Sequence, residues 1–237
     1  MGAVFRRELK SFFYTPVGWL FLGVYLSLAG LLFYLNNILP RSSDLMPLLG
    51  MLGYVWMLLT PMLAMRLTAA ERAGMTDRLL YTSPVPLRSI LAGKYLAAAA
   101  VLVASVGFSL VYPLILSFYG PVHLPEVLTG YLGLALQGLA FLALDAAVTS
   151  RAAHAASAAA LAFGVNLFVW LASLLSTSAA LPAFVTDTVA FLSLYGRFVP
   201  FLNAQLSFAS VLFYLLFILC MLAVALAAQA DERLGTS

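Results

Sequence analysis

Long apolar runs alternate with short polar links along this chain, and the alternation predicts six helices of membrane-crossing length. The runs cover residues 17–39, 48–65, 90–118, 127–148, 155–175 and 208–228, each able to cross a hydrocarbon core of about 30 Å. Asn36, Asn37, Pro40, Arg41 and Asp44 supply the first link, residues 66–88 the second, and Gly120, Pro121 and Pro125 a tight turn. Thr149, Ser150, Arg151 and His154 form a brief link before the fifth run. Over 176–205 the pattern breaks. Pro182, Asp187, Gly196, Arg197, Pro200, Asn203 and Gln205 interrupt pieces too short to cross, which predicts an outer or re-entrant segment ahead of the sixth span.

Residues 1–15 follow a different rule. On a 3.6-residue wheel Val4, Phe5, Leu9, Phe12 and Phe13 share one half and Arg6, Arg7 and Lys10 the other, the pattern of a helix lying in the headgroup region with its rings towards the acyl chains. Pro16 ends it. Glu8 falls on the edge of the apolar half, where it either snorkels or pairs with an arginine of the second link. Basic residues before an apolar run also suggest a signal peptide, but this run continues well past Gly30, so the segment is expected to stay as a span.

Composition then fixes the class. At 64% hydrophobic and 9% charged, against about 25% charged for a soluble domain, residues 1–237 read as one all-α integral membrane domain. The net charge of +3 could suggest nucleic acid, but ten of the twelve basic residues fall on one side of the membrane if both termini are cytoplasmic, leaving Arg41 and Arg197 outside. The positive-inside rule therefore accounts for the charge and sets the orientation, and no nucleic-acid partner is expected. Cys220, alone in an apolar run, excludes an internal disulfide and a thiolate cluster and is expected to pack as a small residue.

The 66–88 link is the main soluble handle. Residues 66–94 hold seven of the 21 charged side chains. Thr68-Ala69-Ala70-Glu71 has the form of a capping box, Gly74 can break the helix it starts, and 75–81 can form a short second helix. Met75, Leu79 and Leu80 make its apolar ridge while Thr76, Asp77 and Arg78 present elsewhere; Pro84 and Pro86 stop it. A short, stiffly held helix with an apolar ridge and charged rim suits docking into another protein's groove.

The run Glu71-Arg72-Ala73-Gly74-Met75-Thr76-Asp77-Arg78-Leu79-Leu80-Tyr81-Thr82-Ser83-Pro84-Val85, followed by Gly93-Lys94-Tyr95-Leu96, resembles the cytoplasmic signature of ABC-2 type permeases, in particular the bacterial gliding-motility-type branch. Arg7-Glu8-Leu9-Lys10-Ser11-Phe12-Phe13-Tyr14-Thr15-Pro16 and Phe198-Val199-Pro200-Phe201-Leu202-Asn203 are similar to the same branch's entry segment and to its approach to the last span. Ala70 and Arg78 depart from that pattern, where a second acidic residue and Glu or Gln are common. The resemblance implies six spans, an N-terminal amphipathic helix, a coupling helix between spans two and three, and a re-entrant element before span six. It further implies two permease subunits, identical or different, above two cytosolic ATPases that bind ATP and Mg, with a membrane-anchored accessory subunit in some systems and lipid all round. Glu71, Met75, Thr76, Asp77, Arg78, Leu79, Leu80, Thr82 and Pro84 are the residues it assigns to ATPase coupling. The implied location is a bacterial cytoplasmic membrane, and the implied direction is export.

Enzymatic chemistry is not expected. A P-loop would need glycine where Arg88 stands and Ser or Thr where Tyr95 follows Lys94, so no nucleotide or other cofactor is assigned to this chain. His123 and His154 fall on opposite sides of the membrane and cannot share a metal. Asp145, about one turn from the inner end of span four, is the exception to the apolar pattern. A mid-membrane charge costs on the order of 2.5 to 3.5 kcal/mol on insertion scales, so Asp145 either pairs with Arg151 or Thr149 near the headgroups or lines a substrate path or proton relay. Gln137 and Asn166 could line that path, or hydrogen-bond between helices. The rivals to an ATP-driven permease are an ATPase-independent transporter or channel and a membrane scaffold.

Overall fold

A computed structural model describes residues 2–67, 86–150, 152, 154–175 and 193–235. Among them every regular element is helical: α1 (Gly2–Tyr14), α2 (Pro16–Phe33) running into a π turn (Tyr34–Ile38), α3 (Met46–Leu67), α4 (Leu87–Ser109), α5 (Val111–Ser117), α6 (Leu124–Thr149), α7 (Ala155–Leu175), α8 (Val199–Leu202) and α9 (Phe208–Gly235). Six of these units are long and apolar enough to cross a membrane: α2 with its π turn, α3, α4 with α5, α6, α7 and α9. This is a multi-pass membrane protein.

The bundle is organised on α6, which packs against α3, α4, α7, α8 and α9. Small residues make that possible, because helices in lipid associate by close packing rather than by escape from water. A Cβ added at Gly133 would stand 2.6 Å from Phe201, and one at Gly138 would stand 3.0 Å from the Trp56 indole. Trp56 is fully buried there, stacked on Tyr25 with centroids 4.9 Å apart, and its N–H donates to the Leu134 carbonyl at 3.0 Å. Outward faces carry Leu31, Phe168, Leu216 and Leu219, all exposed and suited to lipid tails. Cys220 is exposed as well, so it faces outward instead of packing.

Three boundaries differ from the sequence reading. Asn36 and Asn37 lie in the π turn rather than in a polar link: Asn37 is buried, and its amide closes the turn by donating to the Ser42 and Asp44 carbonyls at 3.1 and 2.7 Å. The third run is broken at Leu110 into α4 and α5. Pro113 has no N–H for the Ser109 carbonyl four residues back, and Tyr131 on α6 donates its hydroxyl to that oxygen at 2.8 Å. The last helix runs on past the apolar run of 208–228 to Gly235.

Candidate functional site

Two places collect the polar groups of the bundle. The first is where α3 ends and α4 begins, on either side of residues 68–85. Glu71, Met75, Thr76, Asp77, Arg78, Leu79, Leu80, Thr82 and Pro84 all lie outside the described residues. What the structure describes is the frame holding that segment. Arg66, in the last turn of α3, turns back to α1: it donates to the Ser11 carbonyl at 3.3 Å, to the Ser11 hydroxyl at 3.2 Å and to the Thr15 hydroxyl, with its guanidinium 5.4 Å from the centre of the Phe12 ring. Lys94, buried in the second turn of α4, donates to the Leu67 carbonyl at 3.1 Å and so satisfies one of the open carbonyls at the end of α3. Val4 on α1 lies against Gly93, where an added Cβ would come within 3.0 Å of it.

The helix α1 is thereby fixed to both helices that carry the segment. Its exposed face shows Arg6, Arg7 and Lys10, and Phe12 is buried, as the amphipathic pattern predicts. Among the described residues Glu8 takes its direct bond from its chain neighbour rather than from Arg66, and the link arginines Arg72 and Arg78 lie outside the described residues. Arg7 holds its carboxylate at 2.7 Å, and Arg66 lies near enough to feel its charge. Arg66→Ala is expected to loosen α1 from α3 by on the order of 1 kcal/mol, the size of a partly exposed charged hydrogen bond with a ring contact. Faster amide exchange in α1 with unchanged exchange in α6 is the measurable result.

The second place is a polar seam between α3, α6 and α7. Pro61 removes the N–H that would have bonded the Met57 carbonyl within α3. Asn166 on α7 fills that gap, its amide donating to the Met57 carbonyl at 3.4 Å and to the Thr60 hydroxyl oxygen at 3.3 Å, while Thr60 donates its own proton to the Trp56 carbonyl at 2.9 Å. Asp145 on α6 is wholly buried within reach of Thr60 and Asn166, and neither carboxyl oxygen has a partner at hydrogen-bond distance and angle. The Thr149 pairing foreseen for it takes another form: the threonine hydroxyl donates to the Asp145 main-chain carbonyl at 2.8 Å, not to the carboxyl. Arg151 lies outside the described residues.

Two turns along the same face of α6, Gln137 lines a cavity of about 10 Å³ with Gly53, Tyr54, Met57, Phe141, Val169, Trp170, Ser173 and Tyr195, enough for about one water. The Gln137 carbonyl oxygen and the Trp170 N–H are both buried without a partner there. Tyr195, between α7 and α8 in the chain, stacks on Tyr54 with centroids 4.4 Å apart. Burial raises its phenol above the ordinary tyrosine range, and neighbouring Tyr54 adds to the rise.

Of the path residues expected from the sequence, Asp145 and Asn166 meet, and Gln137 stands two turns away with Phe141 between. Thr60 and Trp170 were not foreseen as members. Pro61 was the available signal, since a proline inside a span announces a carbonyl that some neighbour must satisfy. No protein-family model and no curated protein matches the chain.

Proposed function

We propose that this chain is the transmembrane subunit of an ATP-binding cassette transporter of the ABC-2 type, paired with a second permease subunit above two cytosolic ATPases and working in export across a bacterial cytoplasmic membrane. The observation that supports this most is the frame around residues 68–85. Force applied to that segment would reach α3 through Arg66 and Leu67, α4 through Lys94, and α1 through Ser11 and Thr15. Three helices tied at one end respond to a push as one lever, which is what a rigid-body switch of access requires. The apolar ridge of Met75, Leu79 and Leu80 and the polar rim of Thr76, Asp77 and Arg78 are the proposed ATPase contact, flanked by Glu71, Thr82 and Pro84.

The experiment is a mild-detergent pull-down from the native membrane, wild type beside Asp77→Ala/Arg78→Ala. The wild type is expected to bring down an ATPase subunit, and the double variant to retain at most about a tenth of the coupled activity, a change of about 1.4 kcal/mol, while keeping its thermal stability. A folded wild-type chain that brings down no ATPase would overturn the proposal. That result would favour an ATPase-independent transporter centred on the buried, unpartnered Asp145.

A further inference from the structure

We infer that Asp145, Thr60 and Asn166 form a proton-binding site inside the membrane, in which Asp145 holds a proton on its carboxyl and donates it to Asn166 Oδ1. The inference goes beyond the coupling role proposed above and does not depend on it.

The donors have to be counted one by one. An ionised carboxylate only accepts hydrogen bonds, so a buried one needs donors around it. Thr60 has one proton, and it is spent on the Trp56 carbonyl at 2.9 Å. Asn166 has two, spent on the Met57 carbonyl at 3.4 Å and the Thr60 oxygen at 3.3 Å. Turning the amide over would put Oδ1 against the Met57 carbonyl, acceptor against acceptor, so Pro61 fixes which way Asn166 faces. The Asn166 oxygen is left buried and unpartnered, as are both oxygens of Asp145. Thr60 and Asn166 lie within reach of the Asp145 carboxyl, but their protons are directed at the Trp56 and Met57 carbonyls and at the Thr60 oxygen, so a proton on Asp145 supplies the donor the site lacks.

Among the described residues no charge on the surrounding elements takes its place. On α3 the cation is Arg66, engaged by α1; on α4 the cations are Arg88, exposed in the first turn, and Lys94, at the Leu67 carbonyl, with Tyr95 donating to the Leu139 carbonyl at 2.9 Å. The α7 helix carries no charged residue, and the charges of α9 lie in its last turns at 231–233. An uncompensated carboxylate here would meet hydrocarbon, whereas the neutral acid satisfies itself and Asn166 together.

The outer cavity suggests how the proton exchanges. Gln137, Phe141 and Asp145 follow one another at four-residue spacing on one face of α6. Water seated between the Gln137 oxygen and the Trp170 N–H can deliver the proton as hydronium and take it back as water. Phe141 and Met57 line that cavity, and Phe141 stands one turn of α6 before the carboxyl.

Infrared difference spectroscopy of the full chain in lipid nanodiscs tests this. Wild type at neutral pH is expected to show a carboxylic-acid C=O stretch that shifts in deuterated water and is lost in Asp145→Asn. Asn166→Leu, which removes the acceptor but leaves the acid in place, is expected to move that band to higher frequency, and it keeps the test alive should Asp145→Asn fail to fold. A wild-type spectrum with no such band overturns the site. So does a band that sodium chloride removes at constant pH, which would mark an alkali-cation site, or one that Asn166→Leu leaves unmoved.

Discussion

Trp56→Ala is expected to destabilise the bundle by about 3 kcal/mol, the lower end of the range for deleting a buried aromatic. The lower end applies because separated helices already sit in lipid, so the loss is packing and one hydrogen bond rather than transfer from water. Trp56 has no exposed surface, stacks on Tyr25 and parallel to Phe21, lies against Gly138 and donates to the Leu134 carbonyl. Its removal opens a void where α2, α3 and α6 meet. Trp56→Phe keeps most of the ring stack and loses the N–H, so about 1 kcal/mol is expected from it. Reversible unfolding in bicelles measures both. Equal stability of Trp56→Ala and wild type would mean that the three helices do not converge on this side chain.

Gly133→Val should be comparably damaging, by about 3 kcal/mol, for the opposite reason. The Phe201 Cβ and Cγ already occupy the space 2.6 Å from an added Cβ, and Phe198 Cδ2 follows at 3.0 Å. Phe201 is fully buried and sits near its own backbone, so it cannot swing aside as a long flexible side chain would. Either α8 lifts from α6 or α6 bends. The matched control is Gly164→Ala on α7, where nothing lies within 4 Å and helix propensity alone should leave stability unchanged or up to about 1 kcal/mol higher. Thermal melts of the two variants in one detergent give the comparison. A Gly133→Val protein as stable as Gly164→Ala would remove α8 from the core.

The six spans were legible because hydrocarbon imposes a length and an apolar composition on any helix that crosses it. The α1 pattern was legible too, since its basic and aromatic residues separate cleanly on a wheel. The seam was only half so. Asp145 stood out as a charge in an apolar run, but Thr60 did not, because a threonine in a span is ordinary and its importance comes from Pro61 next to it and Asn166 across from it. Which helices meet cannot be read from runs that are apolar on every side: α3, α6 and α7 carry almost no polar stripe to aim them at each other. Glu8 shows the same limit, since among the described residues its ion pair is with its chain neighbour Arg7.

Prolines at 61 and 113 each open a main-chain carbonyl that another helix closes, and the two closures fall at different times in the life of the chain. Tyr131 follows Ser109 by 22 residues, so that bond can form almost as soon as α6 is made. Asn166 follows Met57 by 109 residues. At a synthesis rate of about 5–20 residues per second, the Met57 carbonyl waits on the order of 5–20 s for its partner. Through that interval α3 carries an open acceptor in lipid that can be closed only by a helix with a donor at the right depth. The late helix α7, which packs on both α3 and α6, arrives at a vacancy already waiting for it. The order of synthesis is in this way written into the order of assembly.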